Sequence, residues 1–132
     1  MSESTNINFD DSILLSIAKL IGGEENGTYF NKDLIIAINT ALSILCQVGV
    51  GPDGGFAITG NESKWSDFLD DDARLNMAVS YVYLKVKLLF DPPTSGVLRE
   101  TMEKQIDEME WRSYFEADTQ RLDKLASGEG SA

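Results

Sequence analysis

The sequence predicts an all-α protein. The expected architecture is a small bundle of about four helices with a long C-terminal helix, and a glycine-rich loop or short β-hairpin between helices two and three. Three observations carry that reading. Apolar residues recur at three- and four-residue spacing through much of the chain. The strongest breakers gather at a few places, Gly22-Gly23, Gly49–Gly60 and Pro92-Pro93. The stretch from Gly96 to Ala126 has no internal breaker and is long enough for one helix of about 45 Å.

The first helix is predicted over Asp11–Ile21. Asp10 or Asp11 caps it, Ile13, Ile17, Leu20 and Ile21 recur at helical spacing, and Gly22-Gly23 stops it. Residues 1–10 form a polar arm. Glu24–Phe30 reads as a loop, and Asn31 as the next cap, with Asp33 favourably placed in the first turn. The second helix, Lys32–Val48, is apolar over most of its circumference. Its polar residues Asn39, Thr40, Ser43 and Gln47 share one narrow stripe, which predicts a place in the middle of the bundle.

Gly49–Lys64 is irregular, with four glycines inside seven residues. Phe56-Ala57-Ile58 is a candidate extended piece, so the segment reads as a small hairpin or a loop. Trp65–Leu69 is one apolar turn, and Asp70-Asp71-Asp72 is an acidic start to the third helix. From Ala73 to Phe90 two periods compete. Val82, Leu84, Val86 and Leu88 alternate as in a strand, yet Leu75, Ala78, Val82, Val86 and Leu89 form one helical face, and Met77, Tyr81, Leu84 and Leu88 another. Length decides for a helix buried on two sides.

Asp91-Pro92-Pro93 ends that helix, because proline lacks an amide donor and restricts the residue before it. Thr94 or Ser95 caps the fourth. The fourth helix changes face along its length: Leu98, Met102, Ile106 and Met109 make one stripe, whereas Trp111, Phe115, Leu122 and Leu125 cluster on a largely opposite side. A change of apolar face predicts a change of partner, from the chain's own bundle to another subunit or protein. The domain reading follows: an arm over 1–10, a helical domain over 11–110, and a helix end with an acidic tail over 111–132.

Composition narrows the function classes. A chain of 132 residues supports one modest core. The apolar runs are too short to span a bilayer, and the acidic N-terminus lacks the basic region of a secretory signal. Cys46 stands alone and reads as a small buried hydrophobe. A net charge of −11 argues against nucleic-acid affinity through phosphate neutralisation. With no histidine, Ser-His, Cys-His and His-metal arrangements are excluded. Gly49-Val50-Gly51-Pro52-Asp53-Gly54 is a literal GxGxxG, but it follows a helix and precedes a loop, the reverse of a dinucleotide site. Asp70-Asp71-Asp72 points its carboxylates about 100° apart and does not converge on an ion. The series Glu100, Glu103, Asp107 and Glu110 reads as a solvated face. No enzyme activity, cofactor or metal is expected.

Four segments together, GVGPDGGFAI (49–58), WSDFL (65–69), YVYLKVKLLFDPP (81–93) and IDEMEWR (106–112), resemble the head–tail connector, or adaptor, proteins of long-tailed bacteriophages. The likeness spans roughly residues 11–115. It implies a structural virion protein of the neck, made in the host cytoplasm. Such a protein assembles as a homo-oligomeric ring of about twelve copies beneath the portal protein and presents a seat to the next neck or tail-completion protein. DNA would pass through that ring without sequence-specific binding, and no membrane is involved.

The resemblance, together with the change of apolar face along the fourth helix, points to a subunit or portal interface at Tyr81, Tyr83, Lys85, Lys87, Trp111, Arg112, Phe115, Leu122 and Leu125. It places a lumen- or neighbour-facing loop at Gly51, Asp53, Gly54 and Phe56, with Asp70, Asp71 and Asp72 beside it. An acidic channel wall would limit DNA adhesion. The competing reading is an acidic regulatory or DNA-mimic protein that occupies a basic protein partner.

Overall fold

The computed structural model describes residues 7–22, 32–90 and 92–126. Five helices follow in order: α1 (Ile13–Ile21), α2 (Lys32–Gln47), the single turn α3 (Trp65–Phe68), α4 (Leu75–Phe90) and α5 (Gly96–Ala126). A 3₁₀ turn, Asp72–Arg74, leads into α4. The all-α expectation therefore holds for the described residues. The Glu24–Phe30 loop, the Asn31 cap, Asp91 and the tail after residue 126 lie outside them.

α1 begins at Ile13, two residues later than the predicted start at Asp11. Ser12 caps it, its Oγ accepting from the Leu15 amide at 3.2 Å. Asp11 instead accepts from the Asn8 amide at 2.8 Å and closes a turn ahead of the helix. The cause is tertiary: this stretch lies antiparallel beside residues 63–66. The Ile13 amide donates to Ser63 O, the Trp65 amide to Asp11 O and the Ser66 amide to Phe9 O, at 2.9–3.1 Å. Extended backbone at Ser12 (φ −65, ψ 134) is what an N-cap requires, so the pairing and the cap cooperate. Gly22 ends α1 in the left-handed region (φ 89), where its amide reaches the Ala18 and Lys19 carbonyls.

The centre of the bundle falls to α4, not to α2. α4 packs against α2, α5 and α1, with Ala78, Tyr81, Val82 and Val86 fully enclosed. α2 buries Leu34, Ala37, Ile38, Ala41, Leu42 and Leu45 along one broad face. Its other side is open, with Ile36 62% exposed beside Thr40, Ser43 and Gln47. Each fully buried Leu, Ile or Val contributes about 1.5–3 kcal/mol, so the α2–α4 seam dominates the core.

Trp65, also fully enclosed, ties α3 to α1. Its indole N–H donates to Ser16 Oγ at 3.2 Å, and that hydroxyl donates to the Ser12 carbonyl at 2.6 Å. A buried indole with a partner costs nothing in unsatisfied polarity.

The hairpin alternative is not realised. Among the described residues there is no strand, only an isolated bridge between Ser12 and Lys64. Ile58 is held by a side chain instead. Its amide donates to Asn39 Oδ1 at 2.7 Å and its carbonyl accepts from Asn39 Nδ2 at 3.0 Å. One carboxamide satisfies both backbone groups that a second strand would have satisfied. That explains how Ile58 stays buried without a sheet.

Candidate assembly interface

α5 is where the described structure leaves the most apolar surface uncovered. Ser95 caps it, its Oγ accepting from the Leu98 amide at 3.3 Å, as its position after the two prolines predicts. The helix then presents two stripes. Met102 and Ile106 are buried, Met109 is half-buried against the core, and Ser113 is buried with its hydroxyl 3.6 Å from Met77 Sδ. These four follow a 4-3-4 spacing and form the seam against α4.

Trp111, Phe115, Leu122 and Leu125 lie about 180° around the helix from that seam. Trp111 is 65% and Phe115 57% exposed, with the two rings stacked at 5.1 Å and 10° between planes. Tyr114, Leu122 and Leu125 are exposed beside them. A solvent-facing apolar ridge of this kind is unusual for a monomer. Arg112, exposed on its flank, pairs with Glu108 at 2.8 Å, an exposed i,i+4 pair that contributes about 0.3–0.5 kcal/mol.

The α4 residues expected at an interface divide differently. Tyr83, Lys85 and Lys87 are half-buried. Tyr81 is enclosed by the chain's own helices, its hydroxyl donating to Glu110 Oε2 at 2.6 Å, so it serves the bundle and not a partner. Burial, followed by that hydrogen bond and the nearby charges of Glu110 and Asp107, pushes the phenol well above its ordinary range. Glu110 also corrects the picture of a wholly solvated acidic series. Glu100, Glu103 and Asp107 are exposed, but Glu110 is half-buried. Leu98 is a second correction, being exposed at the first turn of α5 instead of buried in the seam, together with Val97.

The glycine-rich loop and the acidic cluster do come together. Gly51, Asp70 and Asp71 line one depression of about 370 Å³ with Arg74 and Glu116. Asp53, Gly54, Asp70, Asp71 and Asp72 are exposed. Asp71 caps the 3₁₀ turn, its carboxylate accepting from the Ala73 amide at 2.9 Å.

Phe56 turns inward and packs on Phe68 with centroids 5.3 Å apart. Gly51 lies over the same ring at φ 95, and a Cβ there would fall 2.5 Å from Phe68 Cε1. Within the GxGxxG string, Gly51 thus serves a tight turn over an aromatic ring. Cys46 is half-buried, and its thiol is pushed up by burial and by Asp53.

Among the described residues no cluster of acidic or cysteine side chains is arranged to hold a metal, and no helix is long and apolar enough to cross a membrane. No signal along the sequence pointed to Asn39 and Glu110, because each acts on a residue far away in the chain, Ile58 and Tyr81.

No curated protein and no solved structure matches the chain. A family model described as phage connector protein matches residues 13–120. The match runs from the first residue of α1 into the last third of α5; it includes the seam and the Trp111 and Phe115 part of the ridge, and stops before Leu122 and Leu125. On that extent the chain belongs to the phage connector protein family, a structural family of the head–tail junction.

Proposed function

We propose that this chain assembles as a homo-oligomeric ring of about twelve copies directly below the portal, prolongs the DNA channel and presents the seat for the next neck or tail-completion protein. The observation that carries this reading is the uncovered ridge Trp111, Phe115, Leu122 and Leu125 on a helix whose opposite face already holds the bundle together. Aromatic anchors of this type dominate binding energy at interfaces. Chemistry by catalysis has no comparable support in the arrangement of side chains. In the ring, the outer end of α5 reaches the portal, and the depression carrying Asp70 and Asp71 faces a neighbour or the lumen.

The test is electron cryomicroscopy of DNA-filled, tailless heads mixed with the purified protein. A new helical ring under the portal is the expected result, and it yields copy number and lumen-facing residues together. Heads that remain bare while the protein stays free overturn the reading in favour of an acidic ligand of a basic protein.

A further inference from the structure

A second uncovered surface, part apolar and part charged, lies at the elbow between α4 and α5. A cleft of about 380 Å³ opens there, floored by Leu88, Leu89, Pro92 and Ile106, with Lys85 and Arg99 among its lining residues. Leu89 is 54% exposed, and Val97 on the adjoining turn is 76% exposed. The volume is in the range of clefts that enclose a small organic group. The elbow is concave, whereas the ridge on α5 is convex and aromatic.

The two surfaces cannot meet within one chain. Arg99 and Ile106 of the cleft and Trp111 and Phe115 of the ridge belong to the same continuous helix, and they lie on different faces of it. The ridge therefore cannot fold back into the cleft of its own copy. It can reach the cleft of another.

Two further features favour that pairing. The flat faces of the stacked Trp111 and Phe115 rings are suited to a rim that supplies an ammonium and a guanidinium, here Lys85 and Arg99. The charges are also balanced. The cleft sets Glu103 and Asp107 against Lys85 and Arg99, and residues 111–126 hold three acids and three bases. In a chain of net charge −11, these are surfaces on which copies approach without like-charge repulsion.

We infer that the Trp111–Phe115 ridge of one copy seats in the α4–α5 cleft of a second copy. This inference rests on the ring proposed above and names the two faces that build it. The contact is heterologous: each copy offers a ridge to one neighbour and a cleft to the other, which is the geometry that closes into a ring when the rotation per copy permits.

The test places the photoreactive residue p-benzoylphenylalanine at Tyr114, beside the ridge, so that Trp111 and Phe115 keep their contacts. The labelled full-length protein is bound to tailless heads and irradiated, with unlabelled protein in parallel as the control for attachment. The expected result is a link to residues 85–107 of a second copy. The paired substitution Leu89→Glu and Arg99→Glu, at two exposed positions, should lower its yield by about tenfold or more with helix content unchanged. Attached protein that links only to the portal, to another region of a second copy, or to nothing overturns the inference and leaves the ring standing. Unlabelled protein that never attaches to heads overturns the ring itself.

Discussion

The Tyr81 hydroxyl donates to Glu110 Oε2 at 2.6 Å, and this one hydrogen bond joins the enclosed centre of α4 to the middle of α5. It lies on the seam side of α5, two turns past Met102 and next to Met109 and Ser113. The ridge on the opposite face is thereby held at a set angle to the bundle.

Replacing Tyr81 with Phe removes that bond and leaves a half-buried carboxylate without its donor. A loss of about 1–3 kcal/mol is expected, read from chemical denaturation followed by circular dichroism. The pH dependence has a definite sign. An unfolded tyrosine loses its proton near pH ~10, whereas the folded Tyr81 holds its proton to a higher pH. Above pH ~10 the unfolded state binds fewer protons than the folded one, so stability falls as pH rises. Below it the contribution is fully present. Alkaline titration of phenolate absorbance should show one tyrosine ionising only as the protein unfolds. Tyr81→Phe should lack that component.

Asn39→Ala should release Ile58 without disturbing α2, where alanine is a better helix former. Two backbone groups then lose their partners, at a cost of about 1–3 kcal/mol. Hydrogen exchange should report it directly, with the Ile58 amide losing protection. Unchanged exchange at Ile58 would show that the carboxamide does not hold the loop.

Gly51→Ala tests the turn over Phe68. The backbone sits at φ 95 and the added methyl would meet the ring edge at 2.5 Å, so strain and overpacking act together. A drop of more than about 1 kcal/mol in unfolding free energy is expected. Gly54→Ala, where a methyl meets nothing within 4 Å, serves as the control.

Trp111→Ser with Phe115→Ser should leave thermal stability of the isolated chain within about 0.5 kcal/mol, because both side chains are exposed. Attachment to heads should be abolished. Loss of monomer folding would show instead that the ridge serves the bundle.

Charge reversal of Asp70 and Asp72 to Lys tests the acidic wall, leaving Asp71 in place as the cap. If these carboxylates face the channel, ejection should slow and become steeply dependent on salt, as expected for new phosphate contacts. Ejection kinetics indistinguishable from the parent would place them away from the lumen.

Much of this architecture was determined by the sequence alone. Helical spacing, the Gly22 stop and the Pro92-Pro93 break set the helices, and the 4-3 spacings of α5 showed two opposed faces, because all of these act within a few residues. What acts across the chain was decided only by tertiary structure. Pairing of residues 9–13 with 63–66 moved the α1 cap from the acidic pair to Ser12. Asn39, read as part of a polar stripe, became the substitute for a strand. Packing against three helices put α4 at the centre and drew Tyr81 inward to Glu110. Periodicity reports which side of a helix is apolar, but the core has room for only part of that surface. Which apolar residues stay outside, Trp111 and Phe115 at the ridge and Leu89 and Val97 at the elbow, depends on how the helices fill space together.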